Sequence, residues 1–178
     1  CSKRSPIRIL VFTFLLKRKL TGKEKTDFII KVSLQVLDAL EALHNKNIIH
    51  CDIRPHNILL EYKQDVKDLD IQNSKIKLID LGLAKITTDT SIKRAPFSLI
   101  YSPPEQVLNM YKAVNATSDL YSLGISMYEL LTENRPFYHS NPELLMHLQI
   151  TQPLKSDSSI PEKLMQILLK ATHKHTFK

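Results

Sequence analysis

One stretch of eleven residues, His50 to Leu60, constrains the fold and the chemistry of this chain more than any other. It places Asp52 and Asn57 five residues apart, sets Arg54 between them and continues into the apolar run Ile58–Leu60. A short apolar run favours a buried strand, which would hold the preceding polar side chains at its edge. There a carboxylate can accept the proton of a hydroxyl, a guanidinium can meet a phosphate, and an amide oxygen can bind a metal ion. The stretch therefore predicts a site suited to phosphoryl transfer.

A second motif lies 28 residues after Asp52, where a predicted strand over 76–79 ends in Asp80, Leu81 and Gly82. Glycine permits a sharp backbone turn, so the side chain of the preceding Asp can reach into a cleft. Asp-x-Gly alone is a common turn. Its place directly after a strand makes Asp80 a candidate for the same site as Asp52.

In this order the motifs resemble those of eukaryotic-type protein kinases of the Ser/Thr type. Residues 50–57 resemble the family's catalytic loop, H-R-D-x-x-x-x-N, with Cys51 in the place of Arg. Asp80-Leu81-Gly82 resembles its D-F-G motif. The resemblance implies an activation segment over 80–105, which closes with Pro104-Glu105 as A-P-E does in the family. The segment 119–124 resembles the family's D-x-W-S-x-G helix, with Tyr121 for Trp.

The resemblance implies chemical roles for four residues, with ATP and Mg²⁺ as cofactors and a protein as substrate. Asp52 would orient and deprotonate the substrate hydroxyl, and Arg54 would neutralise charge on the γ-phosphate. Asn57 and Asp80 would hold Mg²⁺. Arg54-Pro55 corresponds to the Lys-Pro of Ser/Thr kinases, so the resemblance favours that specificity.

Four further residues receive structural or regulatory roles from the resemblance. His50 would support the catalytic loop, Asp119 would accept hydrogen bonds from the loop backbone, and Glu105 would pair with an Arg that the family places beyond residue 178. Ser98 falls where the family carries a Thr that bridges the catalytic acid and the following cation. A plain loop serine remains an equally good interpretation of Ser98.

Cys51 carries an expectation of its own. The Arg that it replaces normally docks a phosphate on the activation segment, so we expect activity that does not depend on phosphorylation there. The hydroxyls concerned are those of Thr87, Thr88, Thr90 and Ser91.

The predicted fold is mainly α with a few short β-strands, as in the C-terminal lobe of protein kinases. Residues 1–20 would be the end of the small lobe and the hinge, with a strand over 7–16, and residues 21–178 the large lobe. Predicted helices cover 24–45, 117–132, 142–150 and 161–172. Thr21 and Glu24 have the spacing of a capping box before the first of these helices, and Ser118 or Asp119 is the predicted N-cap of the second. Three glycines leave no Gly-rich phosphate loop, and the chain begins with Cys. We therefore expect a lobe truncated at both ends, which would be a poor enzyme alone.

Charge, hydropathy and cysteine content limit the partners and the compartment that can be expected for this protein. Residues 1–23 hold seven Lys or Arg and no acid, which can attract nucleic acid or anionic lipid, although a solvated face is the simpler interpretation and no nucleic acid is expected. The apolar run 9–16 is too short to cross a bilayer. Two cysteines, Cys1 and Cys51, give no disulfide framework, so the expected compartment is reducing and cytoplasmic.

Two alternatives remain open from the sequence. Cys51, Arg54 in place of Lys and the missing small lobe would suit a kinase-like interaction module without catalysis. A small-molecule phosphotransferase shares a similar Asp-to-Asn loop. Pro104-Glu105 and the helix that contains Asp119 favour a protein kinase over the latter.

Overall fold

The computed structural model describes residues 7–62, 74–87 and 98–174. Its strands are β1 (Ile7–Leu10), β2 (Ile48–Ile49), β3 (Ile58–Tyr62), β4 (Lys75–Leu78) and β5 (Lys85–Ile86). Its helices are α1 (Val11–Arg18), α2 (Gly22–His44), α3 (Pro104–Val107), α4 (Ala116–Thr132), α5 (Pro142–Thr151) and α6 (Glu162–Ala171), with a 3-10 turn at Pro55–Asn57. The described chain is mainly helical with a few short strands, as the sequence predicts.

The strand predicted over 7–16 is wrong beyond Leu10, because the chain enters helix α1 there. Val11, Phe14 and Leu15 are buried, and their spacing puts them on one helical face that packs into the core. Helix α1 ends at Lys19, whose backbone is left-handed at φ 50° and whose N–H donates to the carbonyl of Leu15. The β-branched and aromatic content of the run favoured a strand, but packing decided otherwise.

The sheets are small and antiparallel. Strand β3 lies between β1 and β4, with Leu10 opposite Leu59 and Ile58 opposite Leu78. Strands β2 and β5 form a separate pair. The strands predicted at 58–60 and 76–79 are therefore confirmed to within one or two residues. Most of the predicted loop over 61–75, residues 63–73, lies outside the described part of the chain.

Helix α2 confirms the helix predicted over 24–45. Phe28, Val32 and Leu40 are buried along one face, with Leu40 only 1% exposed. Thr21 occupies the N-cap position, but its side chain makes no capping hydrogen bond. The sequence pattern of Thr21 and Glu24 therefore suggested a capping box that the structure lacks.

Helix α4 is the centre of the fold and is buried on nearly every side, in contact with α2 and α6. Its N-cap is Asn115, which forms a capping box with Ser118. The prediction that Ser118 or Asp119 caps this helix is therefore wrong, since both lie inside its first turn. Gly124 permits the close approach of α6, because a Cβ there would lie 2.8 Å from Cγ2 of Thr172.

The main core is a large hydrophobic cluster that joins α1, α2, α4, α6 and strand β3, and a smaller buried cluster contains Ile49, Cys51 and Val114. The predicted helices over 142–150 and 161–172 are confirmed as α5 and α6. None of the helices that the structure describes is both long and apolar enough to cross a membrane.

Candidate active site

The loop from His50 to Asn57 is held by a carboxylate from the first turn of α4. The backbone N–H groups of His50 and Cys51 donate to Asp119 Oδ2 and Oδ1, each at 2.9 Å. A third donor is His44 at the end of α2, whose Nε2 lies 2.8 Å from Oδ2. Asp119 is fully buried. A buried carboxylate that accepts three hydrogen bonds is well stabilised, so this side chain ties the loop to α2 and α4.

His50 supports the loop from inside. It is fully buried, and its Nδ1 accepts a hydrogen bond from the backbone N–H of Asp52 at 3.3 Å. Its Nε2 is buried without a hydrogen-bond partner among the described residues. The His50 ring thus fixes the backbone of Asp52, and the role in loop support that the resemblance implies for it stays a prediction.

Asp52 and Asn57 meet at the start of β3, as their spacing requires. Both are buried, and Asn57 Nδ2 donates to the backbone carbonyl of Asp52 at 2.8 Å and to its Oδ2 at 2.7 Å. Because the amide nitrogen is used in both bonds, the amide oxygen of Asn57 is the group left for a cation. No residue in the described ranges donates to Asp52 Oδ1, so this oxygen is the one left to accept a proton.

Arg54 lies beside this pair. Its Nε is 3.3 Å from Asp52 Oδ2, an ion-pair distance, although the N–H direction does not form a hydrogen bond. About a third of its side chain is exposed. The guanidinium therefore adjoins the carboxylate and still reaches solvent.

Asp80 stands at the same end of the sheet. The backbone N–H of Ile79 donates to the carbonyl of Asn57 at 3.0 Å, so Asp80 follows the residue paired with Asn57. Its backbone is left-handed at φ 66°, and its Oδ1 accepts from the N–H of Gly82 at 3.1 Å. The side chain is exposed. The antiparallel register of β3 and β4 thus places the backbone of Asp80 next to that of Asn57, 23 residues away in sequence.

Glu105 and Ser98 occupy the segment that precedes α4. Glu105 Oε1 accepts a hydrogen bond from Ser118 Oγ at 2.6 Å. Ser98 uses its carbonyl, which accepts from Tyr101 N and Ser102 Oγ. The described residues show no hydrogen bond from the Ser98 hydroxyl to the catalytic loop, so its bridging role stays a prediction. Thr88, Thr90 and Ser91 lie outside the described residues, and Thr87 is the last residue before that gap.

Cys51 is buried and left-handed, with φ 65°. Burial, together with the charge of Asp119, raises the pKa of its thiol to about 12. A thiol that stays protonated is a poor nucleophile. The carbonyl of Cys51 accepts a hydrogen bond from Gln106 Nε2 at 2.9 Å, which links the loop to α3.

Several contributors to the site were missed by sequence reasoning. His44 had a usable signal, since it is a polar residue at the end of a predicted helix just before the loop. Gln106 had none. Glu129 of α4 is also buried and accepts from the Tyr101 hydroxyl at 2.6 Å, while Arg135 Nε donates to its other oxygen at 3.2 Å. Burial and the carboxylate of Glu129 raise the pKa of Tyr101.

Comparison with known proteins assigns the chain to a family. The family model described as "protein kinase domain" matches residues 9–176. The chain is 32% identical over 155 residues to the serine/threonine-protein kinase PrkC of Bacillus subtilis, which covers 83% of this chain and 22% of that protein. It is 31% identical over 157 residues to the probable serine/threonine-protein kinase PknB of Lactococcus lactis, with 83% and 23% covered.

A third relative carries a different specificity in its name. The chain is 31% identical over 174 residues to the tyrosine-protein kinase MasK of Myxococcus xanthus, which covers 86% of this chain and 25% of that protein. The chain thus spans about a quarter or less of the length of these relatives.

Proposed function

The chain belongs to the protein kinase domain family, and from that premise we propose that it carries the catalytic lobe of an ATP-dependent kinase that phosphorylates Ser or Thr hydroxyls of proteins. The observation that supports the proposal is that Asn57 Nδ2 donates to Asp52 Oδ2, while the Asn57 carbonyl accepts from the N–H of Ile79, the residue before Asp80.

Asp52 is the proposed catalytic base. Its Oδ2 is fixed by Asn57 Nδ2 at 2.7 Å, which leaves Oδ1 to orient the substrate hydroxyl and accept its proton. The carboxylate is only 6% exposed, so few water molecules compete for it. The backbone behind it is fixed by His50 and Asp119. Most of the catalysis in this reaction class is positioning, and this loop is built to position.

Asn57 and Asp80 fit a hard divalent cation, since both offer oxygen donors. We propose that the Asn57 amide oxygen and the Asp80 carboxylate hold Mg²⁺ that is shared with ATP. Bound Mg-ATP would supply the electrophilic γ-phosphate and neutralise its charge. Among the described residues no group of three or more His, Cys, Asp or Glu side chains is gathered to hold a metal unaided. A site completed by nucleotide phosphates agrees with that finding.

Arg54 is the proposed cation for the transferring phosphate. It is partly exposed beside Asp52, so it can remain near the carboxylate and meet negative charge that arrives from solvent. Arg54-Pro55 also supports Ser/Thr over Tyr specificity. Two of the three relatives described above are named as Ser/Thr kinases and one as a tyrosine kinase.

The surroundings of Cys51 support activity that is independent of phosphorylation in the activation segment. Its side chain is buried, uncharged and directed at the carbonyl of Ile49, where Sγ donates at 3.6 Å. It therefore offers no cation to a phosphate. If simultaneous replacement of Thr87, Thr88, Thr90 and Ser91 by Ala abolished activity, this part of the proposal would be wrong.

The test of the proposed function is transfer of labelled phosphate from Mg-ATP to a generic protein substrate, followed by identification of the phosphorylated residue. The full-length natural protein is compared with its Asp52→Asn variant. Loss of the base should lower the rate by about 10²–10⁴-fold. Asp38→Asn, which removes an exposed carboxylate from α2, is the matched control and should keep the wild-type rate. Equal rates for wild type and Asp52→Asn would overturn the proposal, as would phosphate found only on tyrosine.

A further inference from the structure

Helix α1 packs directly against the catalytic loop. The ring of Phe12 stacks on the ring of His56, with centroids 5.5 Å apart and planes 29° from parallel. His56 is exposed and immediately precedes Asn57. A peptide bound along the catalytic loop would therefore have this imidazole and helix α1 beside it. An imidazole is neutral or positive and never negative.

Helix α1 brings a concentration of positive charge to this place. Lys17, Arg18 and Lys19 follow one another at its end, and all three are exposed. They belong to the first 23 residues, which contain seven Lys or Arg and no acid. From the sequence alone a solvated face was the simpler interpretation of this basic region. In the fold, helix α1, which ends in these three cations, contacts the catalytic loop through Phe12.

A groove of about 260 Å³ continues from Phe12 along α1 to the end of α4. Its floor is apolar and includes Leu15, Leu16 and Leu130. We call it the α1–α4 groove. Since Phe12 both lines the groove and stacks on His56, the groove and the catalytic loop share a boundary.

The acids at the groove are already neutralised from within the chain. Glu129 accepts from the Tyr101 hydroxyl and pairs with Arg135 at 3.2 Å. Glu133 pairs with Lys25 at 2.6 Å. Lys19, which also lines the groove, has no such ion pair among the described residues. The free charge at the rim is therefore positive.

We infer that this site takes acidic peptide segments, that is, a Ser or Thr with Asp or Glu side chains near it in sequence. The inference rests on the proposed kinase function and names its substrate class. Complementary charge at a rim speeds encounter and excludes like-charged partners. Here the exposed cations of α1 attract carboxylates, and basic peptides meet like charge. The apolar floor accommodates a side chain next to the acidic one.

The test measures kcat/KM of the full-length protein with three synthetic Ser peptides of equal length, in which the flanking positions hold Glu, Gln or Lys. The Glu peptide should exceed the Lys peptide by about tenfold at low salt, and the ratio should shrink as salt is added. A generic protein substrate is assayed alongside, so that basal kinase activity is recorded separately.

Two substitutions that each introduce a carboxylate locate the effect. Lys19→Glu and His56→Glu should each lower the preference for the Glu peptide over the Lys peptide by about threefold, which is the size expected for exposed charges. Both positions are exposed, and each variant is checked for wild-type thermal unfolding. Lys163→Glu, on the exposed face of α6, makes the same change in net charge as Lys19→Glu, far from α1 in sequence, and should leave the preference unchanged.

The outcomes are distinguishable. Phosphorylation of the generic substrate with an equal or reversed peptide preference would overturn the inference and leave the kinase function standing. The same holds if Lys163→Glu changes the preference as much as Lys19→Glu, because net charge alone would then be responsible. Binding of vesicles rich in phosphatidylserine that Lys19→Glu abolishes, with no peptide preference, would assign the basic surface to lipid instead. Absence of all phosphorylation would overturn the kinase function itself.

Discussion

The catalytic loop and the turn after β4 both contribute carboxylates to the candidate site, but they are held in opposite ways. The loop is fixed by Asp119, which lies 68 and 69 residues along the chain from the amides that it binds. Asp80, by contrast, is exposed, and its carboxylate accepts from Gly82, two residues away. A loop that is hydrogen-bonded to buried elements far away in sequence resists local opening, whereas a turn that is held by its immediate neighbours opens at little cost in free energy. The proposed proton acceptor, Asp52, thus lies in a loop that is fixed by a residue distant in sequence. The proposed metal ligand, Asp80, is instead fixed by a neighbouring residue.

Among substitutions that test this difference between the loop and the turn, Asp119→Ala should have the largest effect. The change leaves two buried amides without acceptors, so the free energy of unfolding should fall by about 3–5 kcal/mol. Urea unfolding followed by circular dichroism measures it. Asp38→Ala on the exposed face of α2 is the control and should stay within about 0.5 kcal/mol of wild type. A loss below about 1 kcal/mol for Asp119→Ala would show that the loop has other supports.

The next largest effect concerns the thiol of Cys51. Because its pKa is raised to about 12, the thiolate is scarce at pH 8 and alkylation should be about a hundredfold or more slower than in the unfolded chain. The rate should also keep rising from pH 8 to pH 10, where a thiol with an ordinary pKa of 9.0 would approach its limit. Mass spectrometry of the peptide that contains Cys51 after timed iodoacetamide treatment measures both. Fast labelling of native protein would mean that the loop opens readily.

A weaker perturbation of the same network is His44→Ala. It removes one of the three donors to Asp119 and leaves both amides bonded, so the expected loss of stability is about 1 kcal/mol. Thermal unfolding of the variant gives the value, with the exposed His147→Ala as the matched control. A loss as large as that of Asp119→Ala would mean that His44, rather than the backbone amides, is the principal partner of this carboxylate.

The smallest stability effect should come from Asp80→Asn. The amide oxygen can still accept from Gly82, and the position is exposed, so the free energy of unfolding should change by less than about 0.5 kcal/mol. Activity of the full-length protein should nevertheless fall sharply if Asp80 holds Mg²⁺. A variant that is both inactive and strongly destabilised would contradict the view that this turn is held only locally.

Much of the fold was predictable because local patterns and packing agree. The buried residues of α2 recur at helical spacing. Helices α5 and α6 each begin and end within one residue of their predicted limits. The failure at Val11 has a physical cause. A run of mostly apolar residues satisfies both a strand and a helix, and the pairing of β1 with β3 ends at Leu10, where helix α1 begins.

The site was predictable only where its residues are close in sequence or follow a known order. The prediction for Asp52 and Asn57 rested on their spacing in sequence, and the prediction for Asp80 rested on the strand that precedes it. Contacts between residues that are far apart in sequence could not be predicted in this way, because nothing near Glu129 in sequence specifies Tyr101 as its partner. The cap of α4 was misplaced for a related reason. Asn115, Ser118 and Asp119 are all good capping residues, and tertiary contacts give Asp119 a different task.

The hydrogen bonds that main-chain amides donate to Asp119 have a consequence for how such a loop can evolve. Every residue type except proline offers the same N–H, so the hydrogen bond to Asp119 does not itself require cysteine at position 51. That position also carries the chain's departure from the catalytic-loop pattern of its family, with cysteine for arginine. What limits substitution there is the left-handed backbone at φ 65° and the burial of the side chain, so residues that tolerate both can replace cysteine while the hydrogen bonds that hold the loop are kept.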